Sequence, residues 1–414
     1  MSLLSRRLGA TAAALWVIGA TAVAAAAAQP ADSTWTAIQP LPHQGRSAVF
    51  ALAVDPTNNQ IVLAASSQGS LVRTVNGGAG WTSVHTGKSV ITTIDFDPYS
   101  TSLVLAGTRG AGALASRDGG VTWSAVTGLE GRTVRVFAYA LSLVAAGTDR
   151  GVYLSTDGLS WTPSGLGNRS IDALAVEAIH SPVRLVAGGE AQPSGVLPLF
   201  QSVDAGVTWT QLNPAITGTI AVRLAAGPLP PTGNVRPLVL GTNTGLFVSP
   251  DNGVSFNALS GGALLPATDY TQVDFITDHF DRFYVASDGG GSDRGGLWRS
   301  DDGGQTFRSL QPPNASVTAM AVSNDDQPAL YVATFLPSTH TASLWVYHDT
   351  GADPKGPPGA ASPVASGSRL RPAGNDSSLA SLLGSPQLPY IGLGLGALAV
   401  VFTAILAHLR GRAR

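Results

Sequence analysis

One short motif, repeated six times between residues 74 and 307, limits what this chain can fold into more than any other feature. Each copy follows the pattern Ser/Thr-x-Asp/Asn-x-Gly-x-Thr/Ser-aromatic, with departures at single positions. The acidic or amide residues are Asn76, Asp118, Asp157, Asp204, Asp251 and Asp302, and the aromatic residues are Trp81, Trp123, Trp161, Trp209, Phe256 and Phe307. The aromatic residues recur every 38 to 51 residues, and such a period indicates repeated structural units.

Each position of the motif has a physical role in a tight hairpin. We expect the Asp or Asn side chain to accept hydrogen bonds from backbone amides two residues on, while Gly supplies a positive φ. The aromatic residue is expected to be a large buried anchor that starts the next strand. These residues are therefore predicted to be structural, and their aspartates to be neither catalytic nor calcium ligands.

Two short β-branched runs precede each copy, for example Phe50–Asp55 and Ile61–Ala65. Regular short strands separated by turns predict four-stranded antiparallel units. A seventh unit begins at Val317 and lacks both the motif and an outer strand, whereas Ser33–Ile38 resembles the segment that follows each motif. The sequence therefore predicts an all-β seven-bladed β-propeller whose last blade is closed by the N-terminal strand, with Trp35 buried.

These repeats resemble the BNR, or Asp-box, β-propeller family over roughly residues 32–351. The family includes sialidases, sortilin-type propellers and propellers of the photosystem II stability and assembly factor type. The last type implies an exported, non-catalytic protein that holds membrane-protein intermediates through an arginine-rich patch. Sortilin-type propellers carry a cysteine-rich module, and this chain has no Cys, so the resemblance implies no sortilin role.

The two ends of the chain carry apolar segments. Residues 1–28 combine Arg6 and Arg7 with an apolar run that ends in three alanines, which predicts an export signal, either cleaved or retained as an anchor. Residues 352–389 are rich in Pro, Gly, Ser and Ala and are predicted to form a flexible stalk. Residues 390–409 predict a transmembrane helix, and the arginines of residues 410–414 predict a cytoplasmic tail. The predicted location is the cell membrane, with a single span and the propeller on the extracytoplasmic side.

Composition excludes several classes of function. A net charge of −2 argues against a basic nucleic-acid-binding protein. The absence of Cys excludes disulfides and thiolate metal sites, and the seven His residues show no ligand spacing. The sequence accordingly predicts neither a cofactor nor a metal, although Asp288–Asp293 resembles a glycine-rich calcium loop and leaves that question open. Oligomeric state is also left open.

A series of basic residues precedes the inner strands of the first four units: Arg46, Lys88, Arg132 and Arg169. Arg109 and Arg150 follow the second strands of units two and three and are expected on the same face. Adjacent bases would form an arc beside the channel and focus a positive potential there. The alternative is that each base bonds to carbonyl groups of its own blade. The arc predicts a protein or acidic glycan partner.

An enzyme is the competing interpretation. A sialidase-like glycoside hydrolase of the cell surface would need an arginine triad and a tyrosine nucleophile, and only Asp269-Tyr270 offers an acid–tyrosine pair. Glycosidases that use two carboxylates place them about 5–9 Å apart. Asp95, Asp172 and Asp274 lie in inner strands, but their sequence positions do not pair them. The predicted function is therefore a non-catalytic binding or assembly module.

Overall fold

The computed structural model of the protein describes residues 34–42, 48–66, 68–178, 182–190, 197–212, 216, 218–230, 235–277, 279–291 and 294–351. The predicted signal, stalk, membrane span and tail lie outside the described residues, as does Arg46. Across these ranges, no helix is long and apolar enough to cross a membrane. The described helical structure is a single 3-10 turn at Gly289–Gly291.

Seven four-stranded sheets form the blades of a β-propeller, as predicted. Blade 1 contains β2 (Leu52–Asp55), β3 (Asn58–Ala65), β4 (Ser70–Thr74) and β5 (Thr82–Thr86). Blade 2 contains β6 (Ile91–Phe96), β7 (Val104–Thr108), β8 (Ala113–Ser116) and β9 (Ser124–Ala125). Blade 3 contains β10 (Val134–Tyr139), β11 (Val144–Thr148), β12 (Gly151–Ser155) and β13 (Thr162–Gly165).

The remaining four blades repeat this order. Blade 4 contains β14 (Ala173–Ala178), β15 (Arg184–Gly188), β16 (Leu199–Ser202) and β17 (Thr210–Leu212). Blade 5 contains β18 (Ala221–Ala226), β19 (Leu238–Thr242), β20 (Gly245–Ser249) and β21 (Asn257–Leu259). Blade 6 contains β22 (Gln272–Ile276), β23 (His279–Ser287), β24 (Gly296–Ser300) and β25 (Arg308–Ser309), and blade 7 contains β26 (Val317–Val322), β27 (Ala329–Leu336), β28 (Thr341–His348) and β1 (Trp35–Ala37).

The sequence of each strand reflects its place in the blade. Second strands such as Val104–Thr108 are buried throughout, because neighbouring blades cover both of their faces. Outer strands such as Thr82–Thr86 are mostly exposed and polar. Between blades 3 and 4, Val136 and Leu174 pack together with the fully buried Ala145 and Ala187, whose small side chains let the sheets approach closely.

Strand β1 closes the ring, as the sequence predicted. It pairs with β28 in an antiparallel register that places Trp35 opposite Tyr347, with the two ring centroids 4.9 Å apart. The Trp35 indole also donates a hydrogen bond to the Leu310 carbonyl at 2.9 Å. The prediction of a buried Trp35 was too strong: the side chain is only half-buried, because an outer strand has a neighbour on one edge alone.

The repeated motifs form hydrogen-bonded turns, called here the repeat turns. In the second copy the Ser116 hydroxyl donates to Asp118 at 2.7 Å, and Asp118 accepts the Thr122 amide at 2.9 Å. Gly120 has φ 88°, and a Cβ there would lie 2.7 Å from Leu63. The accepted amide lies four residues on, not two, because the turn continues around the carboxylate. The shorter third copy retains the two-residue bond, from the Leu159 amide to Asp157.

The turn carboxylates are held ionised by these bonds. Hydrogen bonds from the side chain and backbone of Thr208 lower the pKa of Asp204 to about 2. The corresponding bonds from Thr122 lower the pKa of Asp118 further. Of the six motif aromatics, only Trp161 and Phe307 are fully buried, and the other four are half-buried against the preceding blade. The expectation of six buried anchors was therefore only partly right.

The meander gives the propeller two distinct faces. The repeat turns and the connections between first and second strands lie on one face, called here the hairpin face. The connections between second and third strands, and those that enter each inner strand, lie on the opposite face, called here the loop face. The lining of the central channel includes residues of both faces, such as Pro56 and Pro98 at the hairpin face and Arg109 and Glu190 at the loop face.

Candidate binding site

The inner strands surround a central channel with a cavity of about 770 Å³. Residues such as Met320 of blade 7 and Val54 of blade 1 make one side of its wall apolar. The charged residues that line it belong to blades 2 to 6: Arg109, Arg135, Arg223, Asp95, Asp172, Glu190, Asp274 and Asp288. With three arginines against five acids, the channel contains both signs of charge and is not simply basic.

An ion pair between blades 3 and 4 lies in this channel. Arg135 Nε is 3.0 Å from Asp172 Oδ1, and the carboxylate is largely buried. Burial raises the pKa of Asp172, the nearby Glu190 raises it further, and Arg135 lowers it. Because the residues come from different blades, the pair joins two repeats that no short-range sequence pattern connects.

A second charged group joins blades 2, 5 and 6. Arg223 Nη2 is 3.7 Å from Asp274 Oδ1, and each side chain is about a quarter exposed to the channel. Burial raises the pKa of Asp274 to about 6, although Arg223 lowers it, and the negative charge of Asp95 adds to the rise. The pKa of Asp95 is also raised by burial, against the effects of Arg223 and of the Thr93 hydroxyl, which donates at 2.7 Å.

The predicted basic residues are only partly available for binding. Lys88, Arg109 and Arg150 are exposed, and none has a carboxylate within ion-pair distance in the described part of the chain. Arg109 also lines the channel. Arg132 is half-buried with its Nη1 4.0 Å from Asp149, and Arg169 lies over the Phe200 ring at 4.5 Å. The structure therefore leaves three of the five described bases free for a ligand.

Backbone hydrogen bonds bring the loops that carry these bases together. The Gly112 amide donates to the Arg132 carbonyl at 2.9 Å, and the Gly151 amide donates to the Arg169 carbonyl at 2.8 Å. The Arg109 amide likewise donates to the Val90 carbonyl at 2.9 Å. The fold uses the backbone at these positions, so a substitution of the side chains at Lys88, Arg109 or Arg150 leaves those bonds intact.

The acid–tyrosine pair considered for an enzyme is not an accessible site. Tyr270 is fully buried, and its hydroxyl donates to the Leu265 carbonyl at 2.6 Å. Burial raises the pKa of Tyr270 far above its usual value, so it is not suited to act as a nucleophile. Ser292 and Asp293 of the glycine-rich loop lie outside the described residues, and the described ones contain no cluster of three potential metal ligands among His, Asp and Glu.

Sequence reasoning missed the channel arginines, Arg135 and Arg223. It placed Asp95, Asp172 and Asp274 in inner strands but could not pair them, because their partners lie one or more blades away. An alignment of the inner strands by repeat would have shown that Asp95 and Asp274 occupy the same strand position, opposite Leu105 and Tyr284 of their second strands, and that Arg223 lies two positions earlier on its own strand. That register was the available signal.

Comparison with known proteins shows the fold and no closer relationship. No protein-family model matches the chain, and no curated protein matches it. Among solved structures, YCF48 from Cyanidioschyzon merolae is similar with a TM-score of 0.50 and 16% identity, over 77% of this chain and 99% of that one. A structure of YCF48 bound to D1 peptide gives a TM-score of 0.52 and 17% identity, over 76% and 97%. An ancestral GH74 enzyme gives 0.43 and 18%, over 74% of this chain and 55% of that one.

Proposed function

We propose that this protein is an exported, membrane-anchored propeller of the BNR, or Asp-box, family that acts as a non-catalytic binding or assembly module. Its partner would be an anionic protein segment bound on the loop face. The observation that carries this proposal is the group of exposed bases on adjacent loops, Lys88, Arg109 and Arg150, which have no carboxylate partner in the described chain.

The physical argument rests on charge and rigidity. Arginine binds carboxylates through two parallel N–H donors, and a closed ring of blades holds such donors in fixed relative positions. The charge on the loop face is unevenly distributed. Lys88, Arg109 and Arg150 belong to the loops of blades 2 and 3, whereas the acidic residues Glu190 and Asp288 lie on blades 4 and 6. An acidic segment is therefore expected over blades 2 and 3.

The comparison structures make a peptide the first class of partner to test. One YCF48 structure is described as bound to a D1 peptide, so a propeller of this fold can hold a peptide. At 17% identity this likeness establishes only the fold for the present chain. Binding of an acidic glycan instead of the peptide is an alternative outcome of the experiment.

The binding experiment uses the full chain in detergent and a fluorescent poly-glutamate peptide as the probe. We expect binding that weakens steeply between 0.1 and 1 M salt, where the Debye length falls from about 10 to 3 Å. Lys88→Gln with Arg109→Gln and Arg150→Gln should abolish it at an unchanged melting temperature. Arg117→Gln is the matched control, because Arg117 is an exposed arginine on the hairpin face. Equal binding by the triple variant, or binding of dextran sulfate alone, would contradict the proposed partner.

A glycoside hydrolase is the alternative that one observation favours. Asp274, with a pKa near 6, and the neighbouring Asp95 line one cavity, and a proton donor next to a second carboxylate is what glycoside hydrolysis needs. We expect no turnover of chromogenic glycosides by the full chain. Turnover that Asp274→Asn abolishes would establish the alternative.

A further inference from the structure

The exposed apolar residues of the propeller are concentrated on one face. Ten large hydrophobic side chains are well exposed in the described part of the chain, and eight of them lie on the hairpin face. They are Val75, Tyr99, Val121, Leu141, Val203, Val207, Leu229 and Val254. Val207 and Val254, at the tips of repeat turns, are 77% and 63% exposed. The opposite loop face has only Phe50 and Leu265 among these ten.

Both described ends of the propeller are on the same hairpin face. Trp35, the first residue of β1, pairs with Tyr347 near the end of β28. Just beyond it, the Asp349 amide donates to the carbonyl of Pro328, in the connection between the first and second strands of blade 7. The chain therefore enters and leaves the ring where the exposed valines are.

The exit from the ring is held in place by buried charges. Arg299 of blade 6 donates to Asp349 at 2.7 Å and to the Gly351 carbonyl at 3.2 Å. Asp349 has no exposed surface, so this attachment is a fixed part of the ring. Residues 391–409, which contain no Asp, Glu, Lys or Arg, follow later in the sequence.

We propose that the hairpin face rests on the surface of a lipid bilayer through these exposed apolar residues, so that the loop face is turned away from the membrane. The inference rests on the proposed membrane anchorage. The stalk predicted from the sequence would not by itself fix the tilt of the ring, but tethering raises the local concentration of lipid, so weak apolar contacts suffice to orient the ring. Each valine that is buried in the lipid surface stabilises the contact in proportion to the apolar area that it removes from water.

The charge of the hairpin face specifies the lipid. The repeat-turn carboxylates Asp118, which is exposed, and Asp204, which is half-buried, lie on this face, and hydrogen bonding lowers the pKa of each, which keeps them negative. They would repel an anionic bilayer. The occupant is therefore a neutral, zwitterionic surface such as phosphatidylcholine, and the contact should be insensitive to salt, in contrast to the proposed binding on the loop face.

The absence of Cys allows a direct test with single-cysteine labels on the full chain. The chain is placed in phosphatidylcholine vesicles that contain nitroxide-labelled lipid, with a fluorophore at Val207→Cys or Val254→Cys, or on the loop face at Lys88→Cys or Arg150→Cys. We expect quenching several-fold stronger at the two hairpin-face positions, and the difference should persist in 1 M salt. Equal quenching at both faces, or stronger quenching at the loop face, would overturn the inference.

A second variant tests whether the valines themselves make the contact. Val75→Ser, Val121→Ser and Val207→Ser together should reduce quenching of the Val254→Cys label to the loop-face level, whereas Leu265→Ser should not. Unchanged quenching in the triple variant, or a hairpin face covered instead by a second copy of the chain, would reject a lipid contact. If the chain does not co-float with the vesicles in a density gradient, the proposed membrane anchorage is overturned as well. The poly-glutamate binding experiment tests the loop face independently of that result.

Discussion

Arg299 and Asp349 form a buried ion pair in which Nη1 of the arginine donates to both carboxylate oxygens, at 2.8 and 2.7 Å. Arg299 is 5% exposed and Asp349 has no exposed surface. The Tyr284 hydroxyl donates to the same carboxylate at 2.9 Å, and Asp301 accepts from Arg299 Nε at 2.8 Å. Since Asp349 follows β28, the third strand of blade 7, and the other residues belong to blade 6, this network fastens the end of blade 7 to blade 6.

Removal of the carboxylate should therefore destabilise the whole ring. We expect Asp349→Ala to lower the free energy of unfolding by at most about 3–5 kcal/mol, because it removes the buried partner of Arg299 and leaves only the partly exposed Asp301 to compensate the buried charge. Urea denaturation measures the loss. Asp326→Ala is the control, since that aspartate is exposed in the same blade. A loss of the same small size in both variants would show that the pair contributes little.

Closure by β1 gives a second prediction. Because Trp35 is half-buried, Trp35→Ala should cost about 2–3 kcal/mol, less than the roughly 3–5 kcal/mol of a fully buried aromatic. Trp35→Phe retains a ring against Tyr347 but loses the hydrogen bond to Leu310, and should cost about 1 kcal/mol. Thermal unfolding followed by circular dichroism tests the order of the three proteins. An unchanged melting temperature in Trp35→Ala would mean that β1 contributes nothing to closure.

The fold could be predicted from the sequence because its information is local and repeated. Each repeat turn specifies its own hairpin within eight residues, and Trp35 lies one repeat before Trp81, which indicates the closing strand. The degree of burial of side chains on the outer strands could not be predicted, because it depends on which residues of the neighbouring blade lie beside each outer strand. The half-burial of Trp35 is an example.

The candidate site could be predicted only in part. Lys88, Arg109 and Arg150 were identified because each lies in a loop at a defined position of its repeat, before an inner strand or after a second strand. All three are exposed in the structure. The pairing of Arg135 with Asp172, and of Arg223 with Asp274, depends on the curvature that brings separate blades around one channel. Such contacts have no signal in the spacing of residues along a single blade.

The channel carboxylates predict how stability depends on pH. Asp274 has a pKa of about 6 in the folded chain against 3.8 as its usual value. Between these values the unfolded chain has released this proton while the folded chain retains it, so the free energy of unfolding falls as pH rises from about 4 to 6. Asp274→Asn should flatten that slope in urea denaturation series, by at most about 1.4 kcal/mol per pH unit for one proton.

The control for this prediction is Asp326→Asn, which removes an exposed carboxylate outside the channel. It should leave the slope between pH 4 and 6 as in the unmodified chain. The repeat-turn aspartates act in the opposite direction, because hydrogen bonds lower the pKa of Asp118 and Asp204, and their stabilising contribution is lost below about pH 4. If Asp274→Asn makes the slope steeper, the channel does not hold a protonated carboxyl group.

The seam between the last and first blades provides the final prediction. The Thr318 hydroxyl of blade 7 donates to the Val49 carbonyl at 2.6 Å, and both residues are buried. In blade 2, Thr92 donates in the same way to the Val134 carbonyl of blade 3. Thr318→Val retains the size of the side chain but leaves the Val49 carbonyl buried without this donor, so we expect a loss of about 1–3 kcal/mol.

Measurement of this loss requires a threonine whose hydroxyl has no such role. Thr82→Val on the exposed outer strand β5 is the matched control and should change the free energy of unfolding by less than about 0.5 kcal/mol. Thr318 and Trp35 both act where the ring closes, so the cost of Thr318→Val should be smaller in a chain that already carries Trp35→Ala than in the unmodified one. Strictly additive costs would mean that the seam between blades 7 and 1 and the β1–β28 pair stabilise the ring independently.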